Sequence, residues 1–335
     1  MTGVVARQDL RAPAVYVLQT LAVAACYYAG GRLGLLYELR VDGSVVSPIW
    51  PPTGIAVASL LIFGPRVWPG IALGALLVVV HLTSLGPTSP GLLFGNTVAP
   101  LCAYWLLRRA GLRTDLGRLR DCLSLVFLGG FAAMLVSSTI AAALLVVSGD
   151  LPAGRFWSVW LPWWVGDAMG VLLIAPVLLV LPRVCSPAHW SRWKEALVLV
   201  AVAVAVVPFA TQSAGSLLFI VFPLLIWSAL RFELPGSILC ALFASVMATA
   251  AATERAGPFA HVSDMQIMIN LHAFNAAAAL TALLLSAVVT EQHNTRRSVE
   301  QACQELVEVL EHLTAGEALP HGHGRAQRSE GSGAA

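Results

Sequence analysis

Charge is what this sequence has least of. Only 11% of its 335 residues are Asp, Glu, Lys or Arg, where soluble domains carry about a quarter. Several charge-free runs exceed the roughly 20 residues that cross a bilayer as a helix, and 58% of the chain is hydrophobic. A water-soluble globule is therefore excluded. Strict apolar–polar alternation is also missing: "ALVLVAVAVAVVPFA" (196–210) is apolar almost throughout, which excludes the strands of a membrane barrel. Closely spaced cysteines are absent. Cys26, Cys102, Cys122, Cys185, Cys240 and Cys303 are scattered, with no metal or redox spacing, and read as small apolar fillers of helix interfaces. There is no Gly-x-Ser-x-Gly elbow, His-Glu-x-x-His pair or phosphate-binding glycine loop. A membrane aspartyl protease needs two facing carboxylates, and Asp167 is the one clear intramembrane Asp. No catalytic set is complete, so neither an enzyme nor a cofactor or metal site is expected.

What is present is a series of apolar segments, near 13–37, 49–63, 67–82, 91–107, 122–148, 156–181, 195–210, 216–230, 235–252 and 267–290. The expected fold is all-α, a polytopic transmembrane helical bundle of about ten segments. Eight full spans with a re-entrant pair are the rival count, because the second segment is short. With both termini cytoplasmic, sixteen Lys and Arg residues fall on the inner side, and only Arg40, Arg155 and Arg255 on the outer. That bias is what the positive-inside rule requires. Arg7 and Arg11 precede an apolar run that continues past Cys26, so the first segment reads as an uncleaved helix despite a faint lipoprotein-like "VAAC". The expected division is a cytoplasmic N-terminus (1–12), a membrane-embedded domain (13–290), a cytoplasmic amphipathic helix (291–314) and a disordered tail (315–335).

The stretch from Ser44 to Leu77 is apolar yet broken by Pro48, Pro51, Pro52, Pro65 and Pro69. Proline at a helix start loses no hydrogen bond. The prolines therefore read as punctuation: Trp50 at the outer interface, a short helix through Pro51, Pro52, Thr53 and Gly54, a stop at Gly64-Pro65-Arg66, and a return helix from Trp68. Irregular backbone at membrane depth must be buried or line a cavity, and the N–H groups after Pro52 make a favourable place for an anion.

"IWPPTGIAVASLLIFGPRVWPGIALGALL" resembles the signature of the first MASE family, bacterial membrane-associated sensor domains. "FGNTVAPLCAYWLLRR" (94–109), "WLPWWVGDAMGVLLIAPVLL" (160–179), "FPLLIWSALRFELPGS" (222–237) and "ALTALLLSAVVTEQ" (279–292) resemble further family segments in the same order. The resemblance spans roughly 10–295. It implies a multi-pass domain of the bacterial plasma (inner) membrane that reports to an output module. Val98-Ala99-Pro100 departs from the family's Leu-Glu-Ala after Gly-Asn-Thr, so an intramembrane Glu is missing at that place.

Intramembrane ionisable groups default to functional hypotheses. Asp167, one turn after Trp163 and Trp164, is expected to bind a cation, accept a proton, pair with Arg32 or serve as an internal hydrogen-bonding pin. Asn96 and Thr97 are further sensing candidates. His272 and Asn275 could share a polar face, and Arg231 and Glu233 read as a local ion pair at a cytoplasmic turn. Glycine pairs four apart occur at Gly30/Gly34, Gly70/Gly74, Gly91/Gly95 and Gly166/Gly170 and suggest close helix packing. Past Glu291, Val299, Ala302, Leu306, Val309 and Leu313 form a heptad seam suited to a paired copy. In the family such a helix leads to a kinase, cyclase or phosphatase domain. No such domain is expected in the remaining residues, where His321 and His323 read as solvated tail.

The leading expectation is a sensory or regulatory domain detecting a small ligand or membrane state. The signal would pass through 291–314 to a separate histidine kinase, cyclase or membrane receptor, or to a homodimer partner, with the bilayer as surroundings and no nucleic acid. A transporter or channel and a scaffold subunit remain open alternatives.

Overall fold

The structure is a computed structural model that describes residues 5–37, 39–41, 44–82, 86–184, 192–213 and 217–317. Cys185 and the tail from 318, with His321 and His323, lie outside the described residues, as does the side chain of Leu313. The helices are α1 (Val5–Gly34), α2 (Pro51–Phe63), α3 (Trp68–Leu82), α4 (Ser89–Arg109), α5 (Leu119–Ser124), α6 (Ala133–Val147), α7 (Phe156–Met169), α8 (Ala175–Val184), α9 (Trp193–Gln212), α10 (Val221–Thr253) and α11 (Asp264–Glu317). Wider π-helical turns at Leu125–Ala132 and Gly170–Ile174 join α5 to α6 and α7 to α8. A two-stranded antiparallel ribbon of three residues a side, β1 (Leu39–Val41) with β2 (Ser44–Val46), links α1 to α2. The chain is an all-α membrane bundle.

Proline sets the helix starts in the first third. Pro51 and Pro52 occupy the first two positions of α2, where no backbone N–H is needed. Gly64, at φ 84°, ends α2 with its N–H donated to Leu60 O at 2.9 Å. Only glycine enters that backbone region at little cost. Ala56, Val57, Ala58 and Leu60 are fully buried. α2 is thus a core helix, covered by α1, α4, α7 and α8. Leu18, Leu33, Leu197 and Val204 on the outer helices are exposed, as lipid-facing side chains must be.

Among the described residues, eight helices are long and apolar enough to cross a membrane, and the chain reverses direction at two further places. First, α2 runs antiparallel to α1 from Gly34 back to Tyr16. The Tyr16 hydroxyl donates to Arg66 O just beyond the end of α2, and Gly34 abuts Pro51 at its start. Those eighteen residues of α1 rise about 27 Å, and α2 and α3 form a hairpin packed along them. Second, α10 folds back at Glu233 (φ 53°, ψ −143°). Leu218 before its first arm and Gly257 after its second line one cavity, so both ends lie on one side. The turn between the arms meets the start of α9, where Arg231 forms a forked ion pair with Glu195 at 2.5 and 2.8 Å. The expected Arg231–Glu233 pair is thereby corrected: the helix break turns the guanidinium toward α9, whose acid faces it squarely.

The glycine pairs sit where helices approach most closely. A Cβ on Gly30 would meet Ile55, and one on Gly34 would meet Pro51; Gly70 and Gly74 lie against Thr20 and Tyr27 of α1. Gly91 and Gly95 take Leu144 and Ile140 of α6. Chain contacts divide the protein into Met1–Glu291 and Gln292–Ala335. In the second unit helix continues to Glu317, with Val299, Ala302, Leu306 and Val309 exposed.

Two outcomes check this arrangement. A Cβ at position 170 would fall 2.0 Å from Trp50 O, whereas nothing lies within 4 Å of one at 154. Gly170→Ala is expected to cost about 3 kcal/mol, the upper end for overpacking, and Gly154→Ala nothing measurable, in thermal unfolding followed by size exclusion in detergent. A cysteine placed at Glu233 should label with a membrane-impermeant thiol reagent from the same side as one at Glu195.

Candidate functional site

Asp167 lies near the middle of the 30-residue stretch from Ala153 to Pro182 and is 1% exposed. A carboxyl group taken out of water needs donors on both oxygens. It has them. The Thr53 hydroxyl on α2 donates to Oδ1 at 2.7 Å, and the Ser137 hydroxyl on α6 donates to Oδ2 at 2.5 Å. One side chain on α7 therefore ties α2 to α6.

Glycine makes this approach possible. A Cβ on Gly54 would lie 2.1 Å from Gly170 O, and one on Gly166 would lie 2.5 Å from Ser47 O. The Trp50 N–H donates to Gly166 O at 3.0 Å, and the Ser47 hydroxyl lies 2.9 Å from Gly34 O. The chain entering α2 is thus clamped between α1 and α7. The start of α2 faces a carboxyl group of the protein's own. Thr53, the third residue of the helix, holds Asp167, and Pro51 and Pro52 carry no N–H. Placing a carboxylate at a helix N-terminus contributes about 0.3–1 kcal/mol at exposed sites, and up to about 2 kcal/mol when partly buried.

The neighbouring aromatics are also fastened. The Trp164 indole N–H donates to Phe131 O at 2.8 Å, a carbonyl within the first π-helical turn. Trp160 stacks on Trp164 at 5.7 Å and donates to Thr139 Oγ1 at 3.0 Å. Trp50 is half-buried against Gly34, so it packs inside the bundle and is not a simple interfacial anchor.

Other predicted residues lie apart from this cluster. Thr97 bonds Leu93 O of its own helix at 2.8 Å. Asn96 and Trp163 are half-buried and give Asp167 no hydrogen bond. Arg32 does not pair with Asp167; its Nη1 donates to the Tyr28 hydroxyl at 3.4 Å, because the exposed guanidinium faces away from the core. Asn275 is fully buried with neither amide atom hydrogen-bonded, and His272 Nε2 is likewise unpartnered. Ser137 is the residue that sequence reasoning missed. Its one signal was a Ser-Ser-Thr triplet in an otherwise apolar helix.

Across α2 from Asp167 is an apolar cavity of about 810 Å³, walled by Gly30, Leu33, Ile55, Ile62, Leu178 and Leu242. Pro51, Ile55, Ala58 and Ile62 of α2 face it, while Thr53 faces the carboxylate. Among the described residues, no three His, Cys, Asp or Glu side chains are grouped to hold a metal.

Proline-started α2, the Trp-Trp-x-Gly-Asp segment around Asp167 and the folded-back α10 fall within one stretch, 19–293, that the MASE1 family profile matches. The chain belongs to the MASE1 family. No curated protein and no solved structure is significantly similar to it. MASE1 is a family of membrane-associated sensor domains, so this is a multi-pass membrane protein of the sensor-domain class.

Removing one hydroxyl should leave a buried carboxyl oxygen without a donor, at a cost of about 1.5–3 kcal/mol. Thr53→Val and Ser137→Ala are each expected to lower thermal stability in nanodiscs accordingly. The double variant should depart from the sum of the two, because both act on one group.

Proposed function

We propose that this MASE1 domain senses a membrane-soluble small molecule or the state of the bilayer by the position of α2. The observation that carries the reading is the placement of α2, with a shared carboxyl group on one face and an apolar cavity on the other. A molecule entering the cavity presses on Pro51, Ile55 and Ile62. Movement of α2 then strains the Thr53–Asp167–Ser137 link and shifts α6 and α7. Such a switch needs two discrete packings, and π-helical turns in both partner helices supply places where register can change. Sensing residues are Trp50, Pro51, Pro52, Thr53, Gly54, Trp164 and Asp167; Asn96, Thr97 and Trp163 lie apart from them. Asp167 has both oxygens held by hydroxyls, which favours a pivot over a permeation site.

The output is the helix beyond Glu291. Val299, Leu306 and Val309 are all more than half exposed, spaced as a heptad seam. They suit a second copy or a helix of a separate kinase, cyclase or receptor. The arginine distribution supports cytoplasmic termini and a bacterial inner membrane as the location. Co-purification of the tagged full chain from native membranes is expected to enrich such a partner, or a paired copy, and removal of 296–335 to abolish the enrichment while membrane insertion persists. Equal enrichment by the truncated chain would refute this output route.

A further inference from the structure

The corner between α4 and α5 gathers five arginines within thirteen residues: Arg108, Arg109, Arg113, Arg118 and Arg120. Three are engaged. Arg108 lies 5.8 Å over the Tyr104 ring, Arg113 pairs with Asp115 at 3.1 Å, and Arg120 donates to Ala110 O at 3.2 Å. Arg118 is exposed and has no acidic partner among the described residues. Arg118 and Arg120 stand at the mouth of an open groove of about 660 Å³.

The groove changes character along its length. Arg118 and Arg120 are at the membrane surface, where one crossing helix ends and the next begins. Ser124 follows one turn deeper, and Leu123, Phe127 and Leu128 continue into the bilayer. From Arg120 to Leu128 the rise is about 12 Å, and Phe127 is 56% exposed. Two guanidiniums, then a hydroxyl, then a hydrocarbon wall reproduce the polarity of a phospholipid from headgroup to chain. Guanidinium forks match phosphate oxygens in geometry as well as charge.

We propose that this groove binds one anionic phospholipid, its phosphate held by Arg118, Arg120 and Ser124 and one acyl chain lying along Leu123, Phe127 and Leu128. Glu291 forms the remaining wall, its Oε2 accepting the Leu119 N–H at 3.2 Å. That carboxylate disfavours additional negative charge and so selects a headgroup with a single one, such as phosphatidylglycerol. It also places the lipid at the residue from which the helix continues to Glu317. The lipid content of the membrane therefore bears on the root of that helix whether or not α2 senses a ligand.

The test is titration of the full-length chain in mild detergent with dioleoyl phosphatidylglycerol and dioleoyl phosphatidylcholine, read by native mass spectrometry. The unmodified chain should prefer the anionic lipid. Arg118→Gln/Arg120→Gln should lose about thirtyfold in affinity for it, since each basic group near an anionic surface contributes about a factor of five. Arg108→Gln/Arg109→Gln removes the same charge and should lose far less. Phe127→Ser should weaken binding severalfold, and Arg118→Lys/Arg120→Lys should fall between the unmodified chain and the Gln pair. Equal binding of the two lipids, equal loss in both Arg→Gln pairs, an unchanged Phe127→Ser, or full displacement of the lipid by inorganic phosphate would each overturn the proposal.

Discussion

A carboxyl group in an apolar interior is the constraint around which this bundle is arranged. Unpaired, Asp167 would be untenable at its depth, because desolvating a charge or an unsatisfied polar group in hydrocarbon costs several kcal/mol. Two hydroxyls meet the need, and both come from other helices. Thr53 must therefore be at the first turn of α2, and that turn must lie against α7. The glycines at 54, 166 and 170 follow from this requirement, since side chains there would hold the backbones apart. The prolines at 51 and 52 follow as well: they start a helix abruptly and add no N–H needing a partner.

Much of this was legible in the chain. Proline and glycine marked the ends of α2 because their backbone restrictions act locally and do not depend on the rest of the fold. The Arg-Phe-Glu-Leu-Pro-Gly stretch likewise marked a reversal, and α10 turns there. Asp167 stood out because an acid in an apolar run has few neutral explanations. Its partners did not stand out. Ser137 is indistinguishable in sequence from Ser138, which satisfies itself at Met134 O of its own helix; only packing decides which hydroxyl faces the acid. Arg231 was assigned to its neighbour Glu233 by proximity along the chain, but the helix break carried it to Glu195. The π-helical turns left no sequence trace, because one extra residue per turn in an apolar run keeps the same composition.

Two regions of the first unit carry different chemistry. The Asp167 cluster is closed and polar at the heart of the bundle, next to an apolar cavity. The arginine corner is open and charged at a membrane surface, beside the last residue of the first unit. Small residues along α1, α2, α3 and α7 let backbones touch, so a shift at one contact cannot be absorbed by a flexible side chain. In such a packed interior small displacements travel as rigid movements. Such rigidity suits α2 to act as a lever, coupling the cavity side to α6 and α7.

Coupling is tested most directly by hydrogen–deuterium exchange on the full chain in nanodiscs, comparing the unmodified protein with Asp167→Asn. A lever centred on Asp167 predicts faster exchange in peptides covering 50–63 and 133–147 together with altered exchange in 291–312. A change confined to the first two regions, with 291–312 unaltered, would contradict it and leave Asp167 as a structural pin.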